Sequence, residues 1–182
     1  MPRIPYADVT KIPAYMREAV EKSPHNVVRM IAGLSPEVYD GMSAFTSSLL
    51  SKSKLPAELR EIGILRAGYI AKAKYETFQH EALARHVGLS DKQIAAIKAG
   101  GKHPGVLNEA QQAVLDFADD LIVNVRASDA NLAAVRKHLS DQLVLELIMV
   151  TGCYMMISRM LETTGVELDT QPIDWAAREK SA

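Results

Sequence analysis

The stretch from Leu59 to Ile70, LREIGILRAGYI, carries apolar side chains almost all round a helix drawn at about 100° per residue. A helix of that kind has to be enclosed by protein, so the fold must be built around it. Two ionisable residues interrupt the pattern. Glu61 falls between Ile64 and Leu65 with Gly68 beside it, and Arg66 falls between Ile62 and Leu59. A carboxylate in that setting needs a partner, or its pKa rises.

A second helical pattern follows, closed by Gly88. Lys74, Glu81 and Arg85 form its solvent stripe, while Ala73, Leu83, Ala84 and Val87 share the other face with Glu76 and His80. Glu76 and His80 are one turn apart and near enough to interact. Such a carboxylate orients the imidazole and raises its proton affinity, as acid–base chemistry requires.

Glu61, then Tyr75-Glu76-x-x-x-His80, then Ala84-Arg85-x-Val87-Gly88-Leu89-Ser90-Asp91-x-Gln93-Ile94 resembles the carboxymuconolactone decarboxylase and alkylhydroperoxidase D superfamily. The resemblance extends to Pro2-Arg3-Ile4-Pro5-Tyr6, Asn26-Val27-x-Arg29-Met30, Leu55-Pro56-x-x-x-Arg60-Glu61 and Val150-x-Gly152-x-Tyr154-Met155, from Pro2 to about Leu168. It implies a helical fold, a Glu–His site for moving protons, and trimers or hexamers with active sites near subunit contacts. Peroxidase members of that superfamily carry a Cys-x-x-Cys pair ahead of the histidine. The corresponding positions here are Ala73 and Glu76, which argues against peroxide reduction.

The rest of the chain reads as helices joined by short links. Ile12 to Glu21 suits a short helix, and Ser35-Pro36-Glu37 starts one running to Leu50 with Val38, Met42, Phe45 and Leu49 on one face. Ser51 to Lys54 reads as a solvated link. Ser90-x-x-Gln93 and Asn108-x-x-Gln111 look like capping boxes, opening helices to about Ala99 and Val125. Ala113, Phe117, Leu121 and Val125 repeat every four residues along the second of these. Gly100 to Gly105 is a loop with His103 as a solvated member, while Ser128 and Ser140 cap helices over 129–139 and 141–165. No alternating strand of useful length intervenes, so the expected fold class is all-α, with about eight helices. Leu59, Ile64 and Gly68 recur as Leu143, Ile148 and Gly152, a faint internal two-fold repeat in which Leu145 takes the place of Glu61.

The expected organisation is a single domain over residues 1–168, with residues 1–11 as an extended arm wrapping a subunit or neighbour, and a tail over 169–182. Ile173 and Trp175 are expected to anchor that tail to a neighbouring chain. Leu143 to Ile157 is apolar nearly all round, which points to a homo-oligomer, whether dimer, trimer or hexamer. The 21 basic and 22 acidic residues are interspersed, which gives no nucleic-acid patch. No apolar run approaches the roughly 20 residues of a membrane span, and no signal peptide is recognisable, so the expected location is cytoplasmic with no membrane partner. The lone Cys153 lies in an apolar run and reads as a buried structural thiol.

Two readings of the ionisable residues compete. In the structural one, Glu61 pairs with Arg66 or Arg159 and His80 is a satisfied core histidine. In the functional one, His80, Glu76, Glu61 and Tyr75 are catalytic, and Arg66, Arg29 and Arg159 are candidates for binding a substrate carboxylate. Glu76-x-x-x-His80 is not the Glu-x-x-His of di-iron bundles, so neither metal nor other cofactor is expected. The function expected is a non-redox acid–base enzyme acting on a small unsaturated carboxylic acid or lactone from aromatic-compound catabolism. Decarboxylation comes first, with cis/trans isomerisation or tautomerisation of a carboxy-hydroxy-dienoate, or hydration, as alternatives. A non-catalytic oligomer that binds a small acid is the alternative of another class.

Overall fold

The computed structural model describes residues 1–180. Ten helices follow in order: α1 Ala14–Lys22, α2 Asn26–Ile31, α3 Pro36–Ser51, α4 Ala57–Ile70, α5 Lys74–His86, α6 Asp91–Ala99, α7 Glu109–Asn124, α8 Asp129–Val135, α9 Asp141–Thr164 and α10 Trp175–Lys180. No strand occurs among the described residues, where the one β-type pairing is an isolated bridge between Pro104 and Leu107. The all-α expectation is met. The two helices beyond the expected count, α2 and α10, have six residues each, too short to show a hydrophobic period.

Helix α4 is the centre. Helices α5, α6, α7 and α9 all pack on it, and Ile62, Ile64, Leu65 and Ala67 are wholly enclosed. Two glycines let its neighbours approach. A methyl group built on Gly63 would stand 2.8 Å from Thr151 Oγ1 of α9, and one on Gly68 would stand 3.0 Å from Thr77 Cγ2 and 3.6 Å from Glu76 Cγ of α5. The glycines therefore set how closely α5 and α9 flank α4, and Gly68 does so beside Glu76.

Both capping boxes form in full, Ser90 with Gln93 and Asn108 with Gln111, and Ser128 and Ser140 cap α8 and α9. Ser35 precedes α3 without a side-chain cap. On α3 Leu49 is buried in the main core with Met42 and Phe45 packed against it, as expected, while Tyr39 joins Met16, Val20 and Ala32 in a small second core and Val38, expected on the inner face, points to solvent. Val125, expected on the apolar stripe of α7, ends that helix exposed with φ 66°. The link over residues 51–54 is solvated as expected, with Ser51, Lys52 and Lys54 exposed, and it is also tied to α9, where Glu146 accepts hydrogen bonds from Ser53 Oγ at 2.6 Å and Lys54 N at 2.8 Å. His103 is tied into its loop through Gly100 O at 2.8 Å.

The amino-terminal arm lies along its own chain, where Arg3 N and Ile4 N donate to Thr164 O at 2.7 and 3.2 Å. Helix α9 is long and apolar enough, by length and composition, to cross a membrane, but Leu147, Val150, Tyr154 and Leu161 on its inner side are part of the main core.

Substituting Gly63 by alanine should cost about 1–3 kcal/mol despite the better helix propensity of alanine, because the new methyl overpacks the α4–α9 contact. Chemical denaturation measures this, and much of the loss should return in the Gly63→Ala/Thr151→Ala double variant.

Candidate active site

Glu61 is fully enclosed at the middle of α4, and Glu76 and His80 are buried on the face of α5 that packs against it. This juxtaposition answers the demand of a carboxylate on an apolar helix. His80 Nδ1 lies 2.7 Å from Glu61 Oε2, and His80 Nε2 lies 3.1 Å from Glu76 Oε1, so the imidazole is held between two carboxylates. Glu61 pairs with neither Arg66 nor Arg159. Its other oxygen, Oε1, accepts from Nε of the neighbouring Arg60 at 3.2 Å.

Four buried ionisable groups thus run in order: Arg60, Glu61, His80, Glu76. The signs alternate, and the chain is neutral when His80 is protonated. Burial alone would disfavour imidazolium, but the charges of Glu61 and Glu76 and their hydrogen bonds outweigh it, raising the His80 pKa to about 10. Tyr154 of α9 packs edge-to-face on the ring, with centroids 4.7 Å apart at 79°, and the Trp175 ring lies 6.1 Å away on a tilted course. Burial, with the Glu76 and Glu61 charges adding to it, drives the Tyr154 hydroxyl pKa well above its usual value.

A cavity of about 490 Å³ adjoins this chain of charges. Arg60, Leu83 and Trp175 line it on the side of His80, and Tyr39, Ser43 and Ser47 of α3 line it elsewhere. Nε of Arg60 is used by Glu61, and a guanidinium has further N–H donors to offer an anion.

The other sequence-selected residues lie apart. Tyr75 is buried, but its hydroxyl bonds Asp169 and accepts from Val27 N at 3.2 Å and Gln79 Nε2 at 3.3 Å, so it joins α5 to α2 and the tail. Arg66 pairs with Asp119 and donates through Nη1 to the carbonyls of Ile97 at 3.0 Å and Lys98 at 2.9 Å, closing the end of α6. Arg29 donates to Asn26 Oδ1 at 3.0 Å and lies over the Tyr6 ring at 4.3 Å. Arg159 is exposed and donates to Met155 O at 2.8 Å. The structure brings together His80, Glu76 and Glu61, and none of the three arginines joins them. Arg60 takes that place. The one signal for it is its place beside Glu61 on a helix with no polar face, which does not tell which way its side chain reaches. Trp175, expected against a neighbouring chain, packs on its own. No cluster of three or more His, Cys, Asp or Glu suited to a metal occurs among the described residues.

Residues 36–120, from α3 into α7, match the carboxymuconolactone decarboxylase family model, and Arg60, Glu61, Glu76 and His80 all lie inside that segment. This segment belongs to the carboxymuconolactone decarboxylase family. Similar solved structures share its fold at low identity. An uncharacterised peroxidase-related protein from Ralstonia eutropha JMP134, an alkylhydroperoxidase AhpD core, is 20% identical with 93% of each chain covered and a TM-score of 0.78. A peroxidase-related protein from Silicibacter sp. TM1040 is 20% identical over 92% of this chain and 90% of that one, with a TM-score of 0.73. The debrominase Bmp8 with 2,3,4-tribromopyrrole is 14% identical over 100% and 96%, with a TM-score of 0.70. At these identities the likeness establishes the AhpD-like fold alone. No curated protein matches it by sequence.

The raised His80 pKa has a consequence for stability. Folding binds a proton that the unfolded chain, with His near 6.5, has lost, so the His80 contribution is complete below pH 6.5 and disappears as pH rises towards 10. Across that window the wild type should lose stability relative to His80→Gln by up to about 1.4 kcal/mol per pH unit. Urea denaturation of both proteins from pH 6 to 10 checks the slope.

Proposed function

We propose that the protein is a cofactor-independent acid–base enzyme acting on a small unsaturated carboxylic acid or lactone, most directly as a decarboxylase. The observation that carries this is the His80 imidazole held between Glu61 and Glu76, beside a cavity whose wall includes the buried cation Arg60. An imidazolium at rest is a proton donor. Nδ1 is committed to the enclosed Glu61 by the shorter contact, which leaves Nε2, on the Glu76 side, as the nitrogen that delivers the proton.

Arg60 binds a carboxylate or lactone carbonyl of the substrate with its remaining N–H donors. The carbon–carbon bond to the departing carboxylate breaks, carbon dioxide leaves, and the electron pair delocalises into the conjugated carbonyl as a dienolate. His80 then protonates the distal carbon and takes a proton back from solvent. Without loss of carbon dioxide, the same donor serves cis/trans isomerisation or tautomerisation. Thiol peroxidase chemistry has little support. Cys153 is the one cysteine of the chain, and burial, reinforced by the Glu76 charge, pushes its pKa up to about 11.

Purified protein incubated with carboxymuconolactones and carboxy-hydroxy-dienoates, followed by ultraviolet absorbance and carbon dioxide release, tests the proposal. Turnover with gas release is expected. His80→Gln should lower kcat at least ~10²-fold, and Arg60→Met should mainly raise KM. Absorbance change without gas would move the assignment to an isomerase, and silence across the panel would contradict the proposal.

Self-association belongs to the same reading. Leu145, Met149 and Met156 are 63%, 50% and 49% exposed along one side of α9, with Gly152 open between them. Sedimentation should give a mass that is a multiple of 19.9 kDa, and Leu145→Glu/Met149→Glu should reduce it towards a single chain.

A further inference from the structure

The family segment stops at residue 120, yet the site is finished by residues well beyond it. After α9 the chain turns back across α5. Asp169 accepts hydrogen bonds from the Tyr75 hydroxyl, from Gln79 Nε2 at 2.8 Å and from Asn26 N at 2.9 Å. Gln79 grips the segment a second time, its Oε1 accepting from Ile173 N at 2.8 Å. Gln79 is itself buried, one position before His80. Helix α10 then begins at Trp175, whose indole lies beside His80 and lines the Arg60 cavity, while His80 is not part of that lining. The indole therefore forms the boundary between the imidazole and the space where an acid would bind.

We propose that residues 169–175 are a strap that completes the site, latched by Asp169 and Gln79, and that Trp175 is its specificity-determining residue, favouring flat unsaturated acids over puckered saturated ones. The proposal rests on the acid–base reading above, because it takes the Arg60 cavity as the substrate site. An indole is a rigid, flat, apolar surface, and a planar conjugated skeleton gains contact with it across a whole face. A saturated ring of the same charge is held off by its hydrogens. Reaction requires the strap to shift, since the acid and His80 meet only when the indole slides from between them.

Benzoate and cyclohexanecarboxylate carry one carboxylate each on a flat and a puckered ring. Their binding is measured by calorimetry to the wild type, Trp175→Ala, Asp169→Ala and Arg60→Met. Trp175 is the one tryptophan of the chain, so acrylamide quenching of its fluorescence reports the strap directly. The wild type should bind benzoate about three- to tenfold more tightly, and Trp175→Ala should bind both acids equally. Asp169→Ala, with unchanged circular dichroism, should expose the indole to acrylamide and lose the preference. Should either variant fail to fold, Trp175→Leu and Asp169→Asn carry the same expectations. Equal binding of the two acids by the wild type, a preference that survives in Trp175→Ala, or an indole equally shielded in Asp169→Ala overturns the proposal. In those cases Arg60-dependent binding still upholds the acid–base reading. Binding of neither acid, or unchanged binding in Arg60→Met, overturns both.

Discussion

A protonated imidazole between two buried carboxylates is the interaction on which this architecture depends. Removing a carboxylate from water costs several kcal/mol unless an opposite charge and hydrogen bonds replace the solvent. Two carboxylates side by side in a helical core need two positive charges. His80 supplies one at the junction of α4 and α5, and Arg60 supplies the other. The neutrality of the set, reached only with His80 protonated, holds the proton on the ring at ordinary pH. Stability and the capacity to donate a proton thus come from the same electrostatic arrangement.

The surrounding fold positions that set. Enclosure of α4 on nearly every side excludes water from Glu61, and Gly68 lets α5 approach until Glu76 and His80 meet it. Tyr154 fills the space against the ring from α9. The four charged residues fall within a family segment of residues 36–120, whereas α9 and the carboxyl-terminal strap close the site from outside it.

Much of this was legible in the sequence, for identifiable reasons. The all-round apolar pattern of α4 announced a central helix, and the i, i+4 spacing of Glu76 and His80 is fixed by helix geometry wherever the helix packs. The capping boxes are local chemistry and formed as read. What was not legible depends on tertiary approach. Spacing does not tell which way a long arginine side chain reaches, so Arg66 ends on the carbonyls of α6 while Arg60, set apart from Glu61 on a helical projection, bends back to its carboxylate. Tyr75 adjoins Glu76 in sequence but points to Asp169, because successive helical positions face different neighbours. Helix α10 and the strap are defined by contacts with α5, and no periodicity announces them.

The most direct test of the central claim is the protonation state of His80 itself. A ¹⁵N NMR titration of the imidazole, assigned with His80→Gln, should show both ring nitrogens protonated at pH 8 and the titration completing well above pH 6.5. A ring that is neutral at pH 7, or that titrates at 6.5 or below, would contradict the charge-alternating chain on which the fold and the proposed chemistry rest.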